Sequence, residues 1–322
     1  MRRGSGRKRV MLLAGGGGGA KLALGLAQCS EQIDLCVVTN TGDDFRHLGL
    51  YIAPDTDSVL YALSGALDTN KGWGRGAETW NVLAELTRLE GDDWFQLGDK
   101  DLALHLIRSG ALEAGHTLSK ITADLASRLG IMNLRVIPAT EQSLRTTLLT
   151  DRGCLAFQEY FVAQRCEPRV ETISYEGALE ARVSPSLIDW AKKGVDLVIM
   201  GPSNPYLSLY PILAIQGMDD FLMQADKIVA VSPLIDGQAL KGPLAKLMTD
   251  WSIKPSASNW VQVWDERYPK LIDQWFVDEV DAHNTQFAHG EKVIQGLSLH
   301  MTDMTSKARL GRAILERVFE NA

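Results

Sequence analysis

The chain has 322 residues, of which 45% are hydrophobic and 23% charged, with 11 prolines and four cysteines. Those values exclude a disordered, collagen-like or disulfide-scaffold protein, and the length suits about two domains of about 150 residues or one with an insertion. The net charge is −7, and five of the basic groups (Arg2, Arg3, Arg7, Lys8, Arg9) stand together at the start, so the rest of the chain is still more acidic and lacks the net basic face of a general nucleic-acid binder.

Residues 1–9 read as a flexible basic tail. The apolar VMLLA that follows imitates a signal peptide, but five glycines and Lys21 break it at once. No run of about 18 apolar residues exists, so no membrane span is expected. Cys29, Cys36, Cys154 and Cys166 form no C-x-x-C pair, which fits a reducing, cytoplasmic setting without structural zinc.

Residues 10–14 predict a buried strand, Gly15–Gly19 a tight turn, and residues 20–28 a helix. Further buried-strand patterns lie at 34–39, 134–138, 196–200 and 227–231. Strands alternating with helices predict an α/β fold, a Rossmann-like, doubly wound, mostly parallel sheet. Its nucleotide-binding core takes residues 10–67 and 131–322. Residues 68–130 form a mostly helical insertion, with amphipathic patterns at 80–89, 99–109 and 118–129. Residues 145–150 and 158–162 read as strands and 182–193 as a helix. After Pro243 the pattern is helical with interruptions, ending in a long helix at 302–320.

Three segments carry chemistry. Gly15, Gly17 and Ala20 fit G-x-G-x-x-G/A, where only glycine lets backbone approach a phosphate and the next helix offers free N–H groups. Gly15, Gly16, Gly17, Gly18 and Gly19 are thus the expected anion cradle, with Lys21 facing the same anion. After the second strand stand Asn40-Thr41-Gly42-Asp43-Asp44, then Pro54-Asp55-Thr56-Asp57. Hard carboxylate oxygens beside a phosphate loop suggest Mg²⁺ rather than a dinucleotide ribose, with one acid serving as general base. The expected metal ligands are Asp43, Asp44, Asp55 and Asp57; Asp44 and Asp57 are the expected catalytic pair. Helix N-capping is the plainer reading of Asp55 or Asp57. Third, Gly201-Pro202-Ser203-Asn204-Pro205 sits at a strand's carboxyl end, where open α/β sheets bind ligands. Trp73, Arg75, Trp94 and Phe95 place aromatics beside charges and suit a flat heterocycle, though Trp80 and Trp94 read equally as core. His105 and His116 receive no role.

The blocks GGGGGAKLALGLA, VVTNTGDDF, PDTDSVLYALSG, GWGRGAETWNVLAEL, WFQLGDKDLALHLIRSG, GPSNPYLSLYPILAI and AVSPLIDGQALKGPLAKLM resemble the 2-phospho-L-lactate transferase family (CofD, called FbiA in actinobacteria) over nearly the whole chain. The resemblance implies a Mg²⁺-assisted, usually dimeric transferase of substituted phosphate groups in coenzyme F-420 biosynthesis. Such an enzyme moves a phospho-lactyl, phosphoenolpyruvyl or phosphoglyceryl group from a guanosine-diphosphate-linked donor to the terminal hydroxyl of the deazaflavin Fo, and GMP leaves. Carried over, Gly15–Gly19 would face the diphosphate, the acidic loops would supply metal ligands or base, and Gly201, Ser203 and Asn204 would hold the guanosine part. Fo would occupy the cleft between sheet and insertion, with no nucleic acid or membrane involved. Two other readings remain. One is a nucleotide-sugar-binding regulator like the YvcK proteins, although Asp43-Asp44 is followed here by Phe45-Arg46 rather than glycines. The other is a nicotinamide dehydrogenase, which would want an acid where Thr39-Asn40 stand.

Overall fold

The computed structural model describes residues 6–239, 242–284 and 293–320. Strand β1 (Lys8–Ala14) passes through Gly15 directly into α1 (Gly16–Ala27). Then come β2 (Ile33–Thr39), a short hairpin of β3 (Phe45–His47) and β4 (Leu50–Ile52), and α2 (Pro54–Ser64). Helices α3 (Asn81–Arg88), α4 (Asp99–Glu113) and α5 (Leu118–Arg128) precede β5 (Arg135–Pro138). An antiparallel side sheet follows, built from β6 (Arg145–Thr150), β7 (Gly153–Ala156) and β8 (Val170–Glu176). Helix α6 (Pro185–Ala191) leads to β9 (Leu197–Met200), which exits through a π-helical turn, Pro205–Leu209, into α7 (Tyr210–Leu213) and α8 (Met218–Leu222). Strand β10 (Ile228–Val231) and the small hairpin β11 (Leu234–Ile235) and β12 (Gln238–Ala239) come next. Helices α9 (Leu244–Asp250) and α10 (Ala257–Arg267), β13 (Gln274–Asp278), α11 (Glu279–Asn284), β14 (Val293–Leu297) and α12 (Met304–Phe319) complete the order.

The central sheet runs β14-β13-β10-β9-β1-β2-β5 and every pairing in it is parallel. Period-two alternation splits β1 between two cores: Val10, Leu12 and Ala14 pack with α1, α2 and α12, whereas Met11 and Leu13 pack with α7, α8 and α10. Both faces are therefore covered, and β1 is apolar from Val10 onward. Helices α4 and α5 share the first of these cores through Leu104, Ile121 and Leu125. From β1 the chain winds one way to β2 and β5, then returns to β9 on the other side. The switch point lies between β1 and β9, so the turns that leave their carboxyl ends diverge and open a crevice.

Four expectations are corrected. Lys8 and Arg9 are not tail: both lie in β1, where the Arg9 guanidinium stacks 4.2 Å over the Trp190 ring and donates to Asp34 at 2.6 Å. Residues 1–5 of the expected tail lie outside the described residues. Residues 158–162 are not a strand but part of a π-helical turn, Glu159–Ala163, because Phe157 and Phe161 stack at 5.4 Å, an i,i+4 pairing that only helical winding permits. The segment after Pro243 hides two parallel strands, β13 and β14. Finally, helix α1 starts at Gly16 rather than Ala20, so four of the five glycines form its first turn.

Candidate active site

Glycine is required in this turn mainly for packing against the β9 exit. A Cβ on Gly18 would lie 2.0 Å from the Pro202 carbonyl oxygen, and one on Gly15 would lie 2.4 Å from Ser208 Cβ. On Gly19 it would meet Ala14 Cβ at 2.8 Å, and on Gly201 the Leu13 carbonyl oxygen, also at 2.8 Å. Ser203 Oγ fastens the two turns, donating to Gly15 O at 2.7 Å. Gly15, Gly19, Gly201 and Ser203 are thus framework, while Gly16–Gly18 stay half-exposed at the mouth. Gly16 takes φ +60, a left-handed conformation. Lys21 lies a turn further along α1, half-buried near Lys307 of α12, and burial lowers its pKa before the neighbouring lysine does.

Of the acidic segments, α2 meets the glycine turn through Asp55. Asp55 Oδ1 accepts the Gly16 N–H, and Oδ2 accepts from Asn40 Nδ2 at 2.9 Å. Asn40 also donates to Leu207 O at 3.2 Å and accepts from Gly42 N at 2.8 Å. Asn40, fully buried, therefore ties three segments together rather than reaching out to a ligand. Neither Asp55 nor Asp57 is an N-cap: both lie in the first turn of α2, after Ala53 and Pro54, where their charge suits the helix dipole.

Asp43 and Asp44 are 5% and 6% exposed, and one oxygen of each, Oδ1, is buried with no hydrogen-bond partner. The other oxygen of Asp44 accepts from Tyr51 Oη at 2.8 Å. Burial, then the neighbouring Asp55 carboxylate, pushes Asp43 well above the usual carboxylate range. Burial likewise raises Asp44, against the Tyr51 hydrogen bond and the Arg108 charge. Asp55 is pushed up to about 6, again chiefly by burial, with the bonds from Asn40 and Gly16 opposing. Strongly shifted carboxyls meeting at a topological switch point mark a functional site.

Asp57 stands apart. Both of its oxygens are held by Arg108, whose side chain is fully buried on α4. His105 Nδ1 lies 3.1 Å from the same guanidinium, and Tyr61 Oη donates to Asp101, one turn before His105. Asp57, expected as catalytic residue and metal ligand, thus has both oxygens engaged by Arg108 in a buried ion pair. Sequence reasoning missed Arg108, Tyr51 and the part played by His105. The available signal was the spacing of Asp101, His105 and Arg108 on one face of a helix otherwise rich in leucine.

Phe45, directly after Asp44, forms an aromatic cluster with His47, Trp94 and Phe95; its ring centroid is 4.9 Å from that of Phe95 and 6.1 Å from that of Trp94. All of these except His47 are half-buried, so the cluster offers ring surface beside the acids. At the other rim Asn204 Oδ1 accepts from Tyr206 N at 3.0 Å, while its Nδ2 is buried without a partner.

Residues 10–319 match the family described as 2-phospho-L-lactate transferase CofD. The chain belongs to the CofD family. A "Phosphoenolpyruvate transferase" of Streptomyces coelicolor is 33% identical over 95% of this chain and 97% of its own length. A "2-phospho-L-lactate transferase" of Methanosarcina mazei is 34% identical over 84% of this chain and 88% of its own. Among solved structures, a upf0052 family member from Bacillus halodurans superposes with a TM-score of 0.65 at 17% identity, covering 97% of this chain and all of its own; that likeness shows the fold. CofD membership makes this chain a transferase and does not favour the regulatory alternative. No helix of the described residues of this CofD protein is long and apolar enough to cross a membrane.

Among the described residues no group of three or more His, Cys, Asp or Glu side chains is arranged to hold a metal alone. Mg²⁺ seldom needs one; it is held by one or two carboxylates together with substrate phosphates and water. The unpartnered Asp43 Oδ1 and Asp44 Oδ1 fit that pattern, being hard donors beside a like-charged neighbour.

Proposed function

We propose that this chain transfers a phosphate-linked hydroxyacid group from a guanosine-diphosphate-linked donor to the terminal hydroxyl of Fo. The Fo oxygen bonds to the phosphorus that carries the hydroxyacid. The bridging P–O bond breaks, GMP departs with its electron pair, and the hydroxyl proton passes to a carboxylate. The product is coenzyme F-420-0 or its dehydro form. The observation that carries this reading is the bond of the glycine turn to Asp55, whose charge acts on the buried Asp43 and Asp44 carboxyls, each with an unpartnered Oδ1.

Tyr51 fixes one oxygen of Asp44 and leaves the other free. Asp43 and Asp44 would hold Mg²⁺, which when bound neutralises charge building on the diphosphate oxygens. Asp55 positions the turn by accepting the Gly16 N–H, and Gly17 and Gly18 offer N–H groups to the diphosphate. Asn204 Nδ2 offers a donor to the guanosine part, and the Phe45–Trp94–Phe95 surface suits the flat deazaflavin. The enolpyruvyl donor is the first choice, because the phosphoenolpyruvate transferase of Streptomyces coelicolor matches more of this chain than the lactate enzyme of Methanosarcina mazei does. The reading also takes the protein as a cytoplasmic homodimer, which light scattering of the purified chain tests.

The decisive experiment is GMP release from purified protein with Fo, Mg²⁺ and each of the enolpyruvyl, lactyl and glyceryl donors. Turnover with at least one supports the proposal; no GMP from any of them removes it.

A further inference from the structure

Thr146 has no part in the reading above. It lies on β6, the middle strand of the side sheet, far in sequence from the acidic turn. Its backbone N–H donates to Gly42 O at 2.7 Å, which docks the side sheet onto the turn between Thr41 and Asp43. Its side chain is 2% exposed, and a Cβ on Gly42 would stand 2.8 Å from Thr146 Oγ1. The hydroxyl therefore presses against the backbone that carries Asp43.

Thr146 Oγ1 has no hydrogen-bond partner, and neither have Thr41 Oγ1, Asp43 Oδ1 and Asp44 Oδ1. Thr41 is likewise 2% exposed. A buried hydroxyl left unpaired costs about 1–3 kcal/mol, so natural cores contain few. Four such oxygens, three of them on the Thr41–Asp44 turn and one on the strand docked against it, are expected where an ion and its water belong to the working structure. Valine has nearly the shape of threonine, favours strands as well, and would leave nothing unsatisfied. A threonine at this buried strand position thus has a use for its oxygen.

We propose that Thr146 is a positioning residue for the divalent cation, its hydroxyl and that of Thr41 fixing the oxygens around an ion held by Asp43 and Asp44. The side sheet then forms one wall of the reaction centre. This inference rests on the Mg²⁺ reading given above. Outer-shell hydrogen-bond partners of this kind typically change metal affinity by about 10–100-fold when removed.

The probe is Mn²⁺, titrated by electron paramagnetic resonance into the full chain with GDP present, for wild type, Thr146→Val, Thr146→Ser and Asp43→Asn. The expected result is at least about tenfold weaker Mn²⁺ binding for the valine variant, near-complete recovery for the serine variant, and melting temperatures no lower than that of wild type. Wild-type affinity in Thr146→Val alongside loss in Asp43→Asn overturns the inference and leaves the cation reading standing. No Mn²⁺ binding by wild type overturns both. If the valine variant unfolds early, Thr146→Ala read against Thr146→Ser makes the same comparison.

Discussion

Arg108 and Asp57 form a closed pair in the core: the two terminal nitrogens of the guanidinium meet the two carboxylate oxygens, and neither side chain exceeds 6% exposure. The pair joins α2, which carries Asp55 against the glycine turn, to α4, which carries His105 and Asp101.

Breaking that pair from one side leaves a charge buried without compensation. Arg108→Met should lower the unfolding free energy by about 3–5 kcal/mol, while Arg108→Met combined with Asp57→Leu should recover much of the loss. Urea midpoints of the two variants check this. Equal destabilisation in both would show that the ion pair is not what holds α4 in place.

The acidic cluster is held against its own stability. Asp43, Asp44 and Asp55 all have folded pKa values raised above the unfolded value of about 4. The native state then binds protons that the unfolded state has already released, so stability from these groups is complete below about pH 4 and is lost as pH rises through the folded values, about 6 for Asp55. Asp43→Asn should therefore abolish turnover yet raise the melting temperature, and raise it more at about pH 8 than at about pH 5. A gain independent of pH in thermal melts would contradict the burial of charge proposed for Asp43.

Gly18 in α1 and Gly110 in α4 are both helical glycines but have opposite surroundings. Gly18→Ala drives a methyl group into the Pro202 carbonyl oxygen, 2.0 Å away, and should cost about 1–3 kcal/mol together with most activity. Gly110→Ala, in α4 with nothing within 4 Å of the new carbon, should stabilise by about 0.5–1 kcal/mol. Differential scanning calorimetry of the two variants distinguishes a packing requirement from a generic glycine penalty.

Asn204 separates a structural oxygen from an available nitrogen. Asn204→Asp keeps the acceptor for Tyr206 N but removes the unpartnered Nδ2 donor. It should keep its melting temperature and bind GDP at least about tenfold more weakly, with Fo binding little changed, since a buried acceptor left without its donor costs about 1–3 kcal/mol. Parallel weakening toward GDP and Fo in calorimetric titrations would remove Asn204 from the guanosine subsite.

Much of this site is legible in the linear order of residues. Residues 10–14 are apolar enough to be buried on both faces, Gly15–Gly19 mark the passage from strand to helix, and Asp43 and Asp44 follow a strand end. Those local facts brought the turn and the acids to the correct edge of the sheet. Which neighbours engage each side chain is not legible in that order. Asn40 is consumed by Asp55, Gly42 and Leu207, and Asp57 by Arg108. Strand β13 escaped because its WFV core is short and its neighbours are polar, so periodicity alone gave it no signal.

The sequence by itself determined the parallel sheet, the glycine turn, the acidic segments and their resemblance to a transferase family, because strand burial, glycine conformation and N-terminal helix charge are properties of adjacent residues. Only the tertiary structure decided which carboxylate keeps a free oxygen and which is locked to Arg108. It alone brought Thr146 against Gly42, since contacts between distant segments are chosen by packing rather than by any pattern along the chain.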